Sequence, residues 1–311
     1  MNLGYACINM TLSSQKPKVT TNRSMIKRTF EEKGINYAGE LGLQNSADLI
    51  KILKWNVKNN VKVFRLSSEF FPWASEYKFN DLPQYLRIKT LLAGCGNYAQ
   101  RNGIRLTCHP GPFNVLTSPH EHVVQNTLTD LRIHGEIFDM MGLERTPYNK
   151  INIHCNGVYG DKKSAMDRFC KNFERLPNSV KHRLTVENDD KANLYSTKML
   201  VEGVSNRVGV PVVFDSHHHE LGPQDLDYHD AFYLARQTWL DRGAKQQAHH
   251  SNSRKHYEDA SVSPVAHSDW YYTPFENYGQ SVDVVLECKK KELALFKYQK
   301  DFLSEVNEEA A

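Results

Sequence analysis

Eight times along this chain a short run of β-forming residues gives way to a segment with helical spacing. The strand runs are Leu3–Ile8, Val61–Ser67, Ile104–His109, Ile151–His154, Leu184–Glu187, Val210–Asp215, Gln246–His249 and Val282–Glu287. Of the segments between them, Asn45–Asn60 puts Leu49, Ile50, Leu53 and Val57 on one helical face behind an N-cap at Asn45 or Ser46. Further helices are expected over 81–100, 118–141, 161–176, 196–208 and 229–242, with a charged tail helix from Lys289 to Val306. Eight such units in 311 residues predict an α/β fold, a (β/α)8 TIM barrel forming a single domain over residues 1–311. A doubly wound open sheet is the competing architecture, but no G-x-G-x-x-G follows a strand. Two long connections, at about 10–44 and 251–269, are expected to be mouth loops, the first with a short helical patch over Met25–Lys33.

Barrel enzymes place their chemistry where the strands end. Here those positions carry metal-binding residue types: His109, His154, Glu187, Asp215 with His218 after it, His249, the loop residue His267, and Glu287. Side chains alternate along a strand, so Cys108, Cys155 and Cys288 face away from His109, His154 and Glu287 and are expected to pack as small apolar residues. Five imidazoles and three carboxylates in one cavity would be strongly unfavourable without cations. Two or three divalent ions are therefore expected, manganese or zinc, with magnesium a further candidate. Paired metals suit in-line phosphoryl displacement, which favours phosphodiester hydrolysis. The competing function is a metal-dependent sugar isomerase or epimerase, because fold alone does not decide. A non-catalytic DNA-binding barrel is a third reading.

A net charge of +3 does not by itself argue for nucleic acid, although Lys16, Lys18, Arg23, Lys27 and Arg28 crowd the N-terminal region. Six cysteines without a C-x-x-C pair argue against a disulfide framework and fit a reducing compartment. No signal-peptide pattern or membrane-length apolar run is visible, so a soluble, intracellular protein is expected.

In order, the segments Leu3-Gly4-Tyr5-Ala6-Cys7-Ile8-Asn9, Thr20-Thr21-Asn22-Arg23, Phe64-Arg65-Leu66-Ser67-Ser68, His109-Pro110-Gly111, Glu187-Asn188-Asp189, Val213-Phe214-Asp215 and Val285-Leu286-Glu287 resemble the UV damage endonucleases, TIM-barrel relatives of endonuclease IV. The resemblance extends over nearly the whole chain. It implies a metal-dependent DNA repair enzyme that nicks damaged double-stranded DNA 5′ to ultraviolet photoproducts, with abasic sites a further expected substrate; a monomer is expected. It implies that Glu187 bridges two metals, with His109 and His154 completing one site and Asp215, His249 and Glu287 the other. His218 and His267 would hold a third ion. It also implies DNA contacts from Tyr5 and Asn9, from Asn22 and Arg23, and from the Pro112-Phe113 pair. The segment Phe70-Phe71-Pro72-Trp73 is a further candidate for stabilising distorted DNA.

Three positions depart from the family pattern. Pro112-Phe113 stands where the family commonly has glutamine and an aromatic residue; phenylalanine can still wedge or stack, but proline donates no hydrogen bond. Gln247 stands where a lysine, sometimes carboxylated, is usual, and Lys245 is out of register. His250 beside His249, with His256 beyond, leaves the seventh-strand ligand open by one position.

Overall fold

The strands of a barrel are walled on one side by helices and on the other by each other, and this chain treats the two sides differently. In the computed structural model, which describes residues 1–303, eight parallel strands run in the order β6-β5-β4-β3-β2-β1-β8-β7. They are β1 (Asn2–Ala6), β2 (Val63–Leu66), β3 (Arg105–Cys108), β4 (Ile151–His154), β5 (Leu184–Glu187), β6 (Val212–Val213), β7 (Gln247–His250) and β8 (Asp283–Leu286). A single bridge, Asp215 to His249, joins β6 to β7 and closes the barrel. The sixth strand is thus shorter than the run Val210–Asp215 suggests, and the seventh lies one residue later than expected.

Outward residues such as Phe64, Leu66, Leu106, Ile151, Ile153 and Val212 join the large apolar core under the helices. The apolar cluster of Ala6, Val63 and Val285 is separate and small, because the barrel interior is otherwise polar. Gly4 sits where an added Cβ would come within 2.2 Å of the Val63 carbonyl oxygen, so only glycine fits there. At the opening ends of the strands, buried Arg105 donates to Asp283 at 3.1 Å, to the Lys245 carbonyl at 3.0 Å and to the Tyr148 carbonyl at 2.6 Å, tying β3, β4, β7 and β8 together. The expected outward cysteines Cys108, Cys155 and Cys288 are all buried and free.

The 10–44 connection is not a loop. It contains α1 (Met10–Ser13) and the first half of α2 (Lys27–Lys58), a long helix broken at Gly34 (φ 63°). The Met25–Lys33 patch is real, but it runs on through the break into the helix expected to begin at Asn45. Asn45 and Ser46 are therefore interior residues, not caps. Asn45 instead donates to the Phe70 carbonyl at 2.9 Å and accepts from the Arg23 backbone at 3.1 Å, while Ser46 bonds back to the Gly42 carbonyl at 2.8 Å. Partners from distant segments compensate for capping residues inside a helix. The remaining larger helices include α3 (Tyr85–Arg101), α4 (Glu121–Met140) and α5 (Lys162–Phe173). The tail helix spans Lys291–Phe302; residues 304–306 of that expectation lie outside the described residues.

Candidate active site

Period-2 alternation carries Lys150, Asn152 and His154 to the inner wall of β4, and Thr185 and Glu187 to that of β5. Register then places His154 directly beside Glu187. Glu187 is buried, and imidazoles surround it. His109 Nε2 lies 3.1 Å from its Oε2, His249 Nδ1 3.1 Å from the same oxygen, and His218 Nδ1 3.3 Å from Oε1. Asn152 donates to Oε2 from below. His154 Nδ1 is 3.0 Å from Asp189. His249 Nδ1 is also 3.2 Å from Glu287 and 4.0 Å from Asp215. Glu287 is held by Arg65.

Ligand-type atoms gather in three buried sets: His109, Glu187 and His249; His154, Glu187 and His218; and Asp215, His249 and Glu287. All six residues expected at the two principal sites lie in these sets, and only the grouping differs in part: His109 and His154 fall in different sets, Glu187 is shared by those two, and Asp215, His249 and Glu287 stay together, with His249 also joining His109 and Glu187. His218 joins Glu187. His267 is in none of the three sets; its Nδ1 meets Ser251 at 2.6 Å and its Nε2 is 3.9 Å from Glu287. His250 turns outward to Ser216 and Thr273, and His256 is exposed, so the seventh-strand histidine at the centre is His249.

The donor set fits divalent metal. His154 Nδ1, His249 Nδ1 and Asp215 Oδ2 are buried without a hydrogen-bond partner although other ligand-type atoms lie 3–4 Å away. Lone pairs that crowd together without hydrogen bonding are arranged for a cation. Electrostatics agree. Burial pushes the Glu187 carboxyl up, but His249, His154 and hydrogen bonds from His109 and His218 outweigh it and hold the group well below the usual range. Burial pulls His109 and His249 down to about 4, leaving neutral imidazoles suited to ligation. Burial raises Asp215 to about 6. His218 goes the other way: burial disfavours its charge, yet Asp215 and Glu187 overcome this and raise it. A proton there supplies some of the positive charge the carboxylates require.

The matching sequence profile is that of the UV-endonuclease UvdE family, over residues 1–310. The chain belongs to the UV-endonuclease UvdE family. It is 35% identical over 302 residues to a UV-damage endonuclease of Schizosaccharomyces pombe, covering 94% of this chain and 49% of that protein, so it spans about half that relative's length. The crystal structure of a protein called SacUVDE superposes with a TM-score of 0.83 at 30% identity, covering 99% of both chains. A D-psicose 3-epimerase from Clostridium cellulolyticum H10, crystallised with D-tagatose, covers 93% of this chain and 85% of its own at a TM-score of 0.55. At 13% identity that likeness is one of fold alone, and the sugar-epimerase reading has no more support than the barrel itself.

The expected DNA-contact residues divide into two groups. Pro112 and Phe113 are exposed, Phe113 by 66%. They form one wall of a groove of about 620 Å³ whose other wall includes Met25, Pro72 and Trp73. Asn156 (φ 58°) donates to the Pro112 carbonyl at 3.1 Å and steadies this loop. Tyr5 and Asn9, by contrast, are buried and face the helix layer: Asn9 donates to the Tyr5 hydroxyl, which donates to Asn56 of α2, both at 2.8 Å. Asn9 also caps α1 by accepting from the Leu12 backbone. Neither presents a surface to a nucleotide here. Arg23 is bound to Asp48 at 2.6 Å and to the Thr20 and Lys18 carbonyls, and Thr20 bonds Asn22, so this pair is engaged in shaping the N-terminal loop. Phe70 and Phe71 are core residues; only Trp73 of that segment reaches the groove partly exposed.

Tyr5→Phe should accordingly lower stability by about 1–3 kcal/mol, the cost of stranding buried polar groups, and leave DNA affinity unchanged. Denaturant melts and duplex binding by the same variant check both halves; weakened binding at full stability would restore a DNA-facing role.

Four residues of the centre are not among those expected from the sequence. Arg65 and Asp189 lie inside the family-like segments without standing out, and Lys150 and Asn152 share the His154 face by alternation but are not ligand types.

Proposed function

We propose that this chain is a metal-dependent repair endonuclease that nicks double-stranded DNA 5′ to ultraviolet photoproducts, with abasic sites as a further substrate. What carries the reading is Glu187, shared between two imidazole pairs at the barrel mouth in a chain of this family. His109, His249, Glu187, His154, His218, Asp215 and Glu287 would hold two or more divalent ions, manganese or zinc by donor type. His267 lies close enough to Glu287 to serve an added ion at the rim. Bound there, divalent ions would supply a low-pKa water and charge stabilisation for phosphodiester cleavage. Arg65 fixes the Glu287 carboxylate, and Asn152 fixes that of Glu187. Phe113 would stack where damage has loosened the duplex, since a damaged pair is cheaper to unstack. The protein is proposed to act as a monomer. Among the described residues no helix is long and apolar enough to cross a membrane.

Nicking of irradiated and unirradiated plasmid, with manganese and with chelator, tests the reading. Relaxation of irradiated plasmid alone, lost with chelator, is expected; equal cutting of both plasmids would reject damage selectivity. Phe113→Ala should weaken binding of irradiated duplex roughly tenfold, from a stacking contribution of about 1–3 kcal/mol. A fluorescence titration reads this, and unchanged affinity would remove Phe113 from the interface. Because His218 holds its proton more tightly than a free histidine, metal uptake there must release it. Manganese affinity should therefore rise with pH, measured as proton release in two buffers of different ionisation enthalpy.

A further inference from the structure

Below the ligand cluster lies a lysine that no step above uses. Lys150 immediately precedes β4 and has no exposed surface. Its Nζ sits 2.8 Å from His249 Nε2, across the barrel interior from a strand 99 positions away. The other nitrogen of that ring, Nδ1, is the one that faces Glu187, Glu287 and Asp215. His249 is thus gripped at one end and presented at the other. Among the described residues no carboxylate forms an ion pair with Lys150, and its Nζ has no second hydrogen-bond partner. A fully buried lysine is rare unless paired, and a methionine of similar length would fill the same space without an amine to desolvate. The layer around it is polar as well: the Gln247 amide, two residues below His249 on the same strand, is buried with neither of its polar atoms bonded.

Resting on the metal-centre reading above, we propose that Lys150 is a positioning residue for His249. Its amine nitrogen accepts the Nε2–H of the neutral ring and fixes the rotation of the imidazole, so that the Nδ1 lone pair is turned toward Glu187 and Glu287. Two of the three ligand sets contain His249, so one misdirected ring would loosen both. Lys150 is in none of the ligand sets itself; it acts through the His249 ring that it holds.

The test uses Lys150→Met and Lys150→Gln in the full chain, with manganese titrated calorimetrically into chelator-stripped protein. The stripped variants should melt near the wild type. The affinity for manganese should fall about 10–100-fold, the usual cost of losing a partner that orients a metal-bound histidine. Combined with His249→Gln, either Lys150 variant should cost nothing further, because the two act on one ligand. A folded Lys150 variant that binds manganese with wild-type affinity and stoichiometry would overturn the proposal, as would losses that add fully to those of His249→Gln. Unfolding of both stripped variants would assign Lys150 to stability instead and equally overturn it. If the wild-type protein takes up no manganese, the metal-centre reading itself fails, an outcome plainly different from normal uptake by the Lys150 variants.

Discussion

Glu187→Gln should abolish nicking while leaving the barrel folded. The substitution keeps the shape of the side chain and removes its charge at the point where His109, His249 and His218 converge within 3.1–3.3 Å. The carboxyl is held well below its usual pKa, so at neutral pH the native group is an anion and the change is complete. Loss of the ligand shared by two sets should depress nicking by about 10³-fold or more, on the order of 4 kcal/mol of barrier. The glutamine can still be bonded by Asn152, and His218, relieved of one carboxylate, can give up its proton, so the thermal melt of stripped protein should change little. Single-turnover nicking and metal content on the same preparation check this. Activity within tenfold of wild type would sink the assignment of Glu187.

Asp283→Ala should be the most damaging change to the fold. Its two carboxylate oxygens accept from Arg105 at 3.1 Å, from Lys245 at 2.5 Å and from Asn2 at 3.0 Å. Removing them leaves the Arg105 guanidinium buried among backbone carbonyls without a counter-charge. Stranding one partner of a buried pair costs about 3–5 kcal/mol. For a domain of this size that corresponds to a melting point lower by roughly 10 °C. Asp283→Ala with Arg105→Met should recover part of the loss, because the unpaired charge goes with it. A single variant melting within 2–3 °C of wild type, about 1 kcal/mol, would show that the carbonyls alone satisfy Arg105.

The alternation of strand and helix was legible because burial on both faces selects compact β-branched runs, and each inner-face ligand follows from counting by two along its strand. The same rule separated His109 from Cys108 and His154 from Cys155 before any coordinates. It holds at the first strand as well: Tyr5 and Asn9 meet on one face, and because Tyr5 alternates with the inward Gly4 and Ala6 that face lies against α2, whereas the DNA contact at this pair was implied by the resemblance alone. Asn45 and Ser46 read as a helix start because capping residues look alike whether their partners are local or distant. The division of ligands into sets was not legible, since it depends on side-chain reach across strands far apart in sequence. Lys150 was passed over for a chemical reason: a lysine looks like surface, and only its contact with His249 shows otherwise.

The meeting of β6 and β7 has a consequence for how the molecule opens. Most neighbouring pairs of strands share a ladder of two or more pairings, whereas β3 and β4 meet at one, Cys108 with Ile151, and β6 and β7 at one bridge, between Asp215 and His249, which completes the ring. Those two residues also stand in one ligand set with Glu287. An ion seated there would act as a clasp on a sparsely stitched seam of the cylinder. Chelation should then do more than silence chemistry: backbone amides along this seam, beginning with that of His249, should lose hydrogen-exchange protection ahead of those elsewhere in the wall.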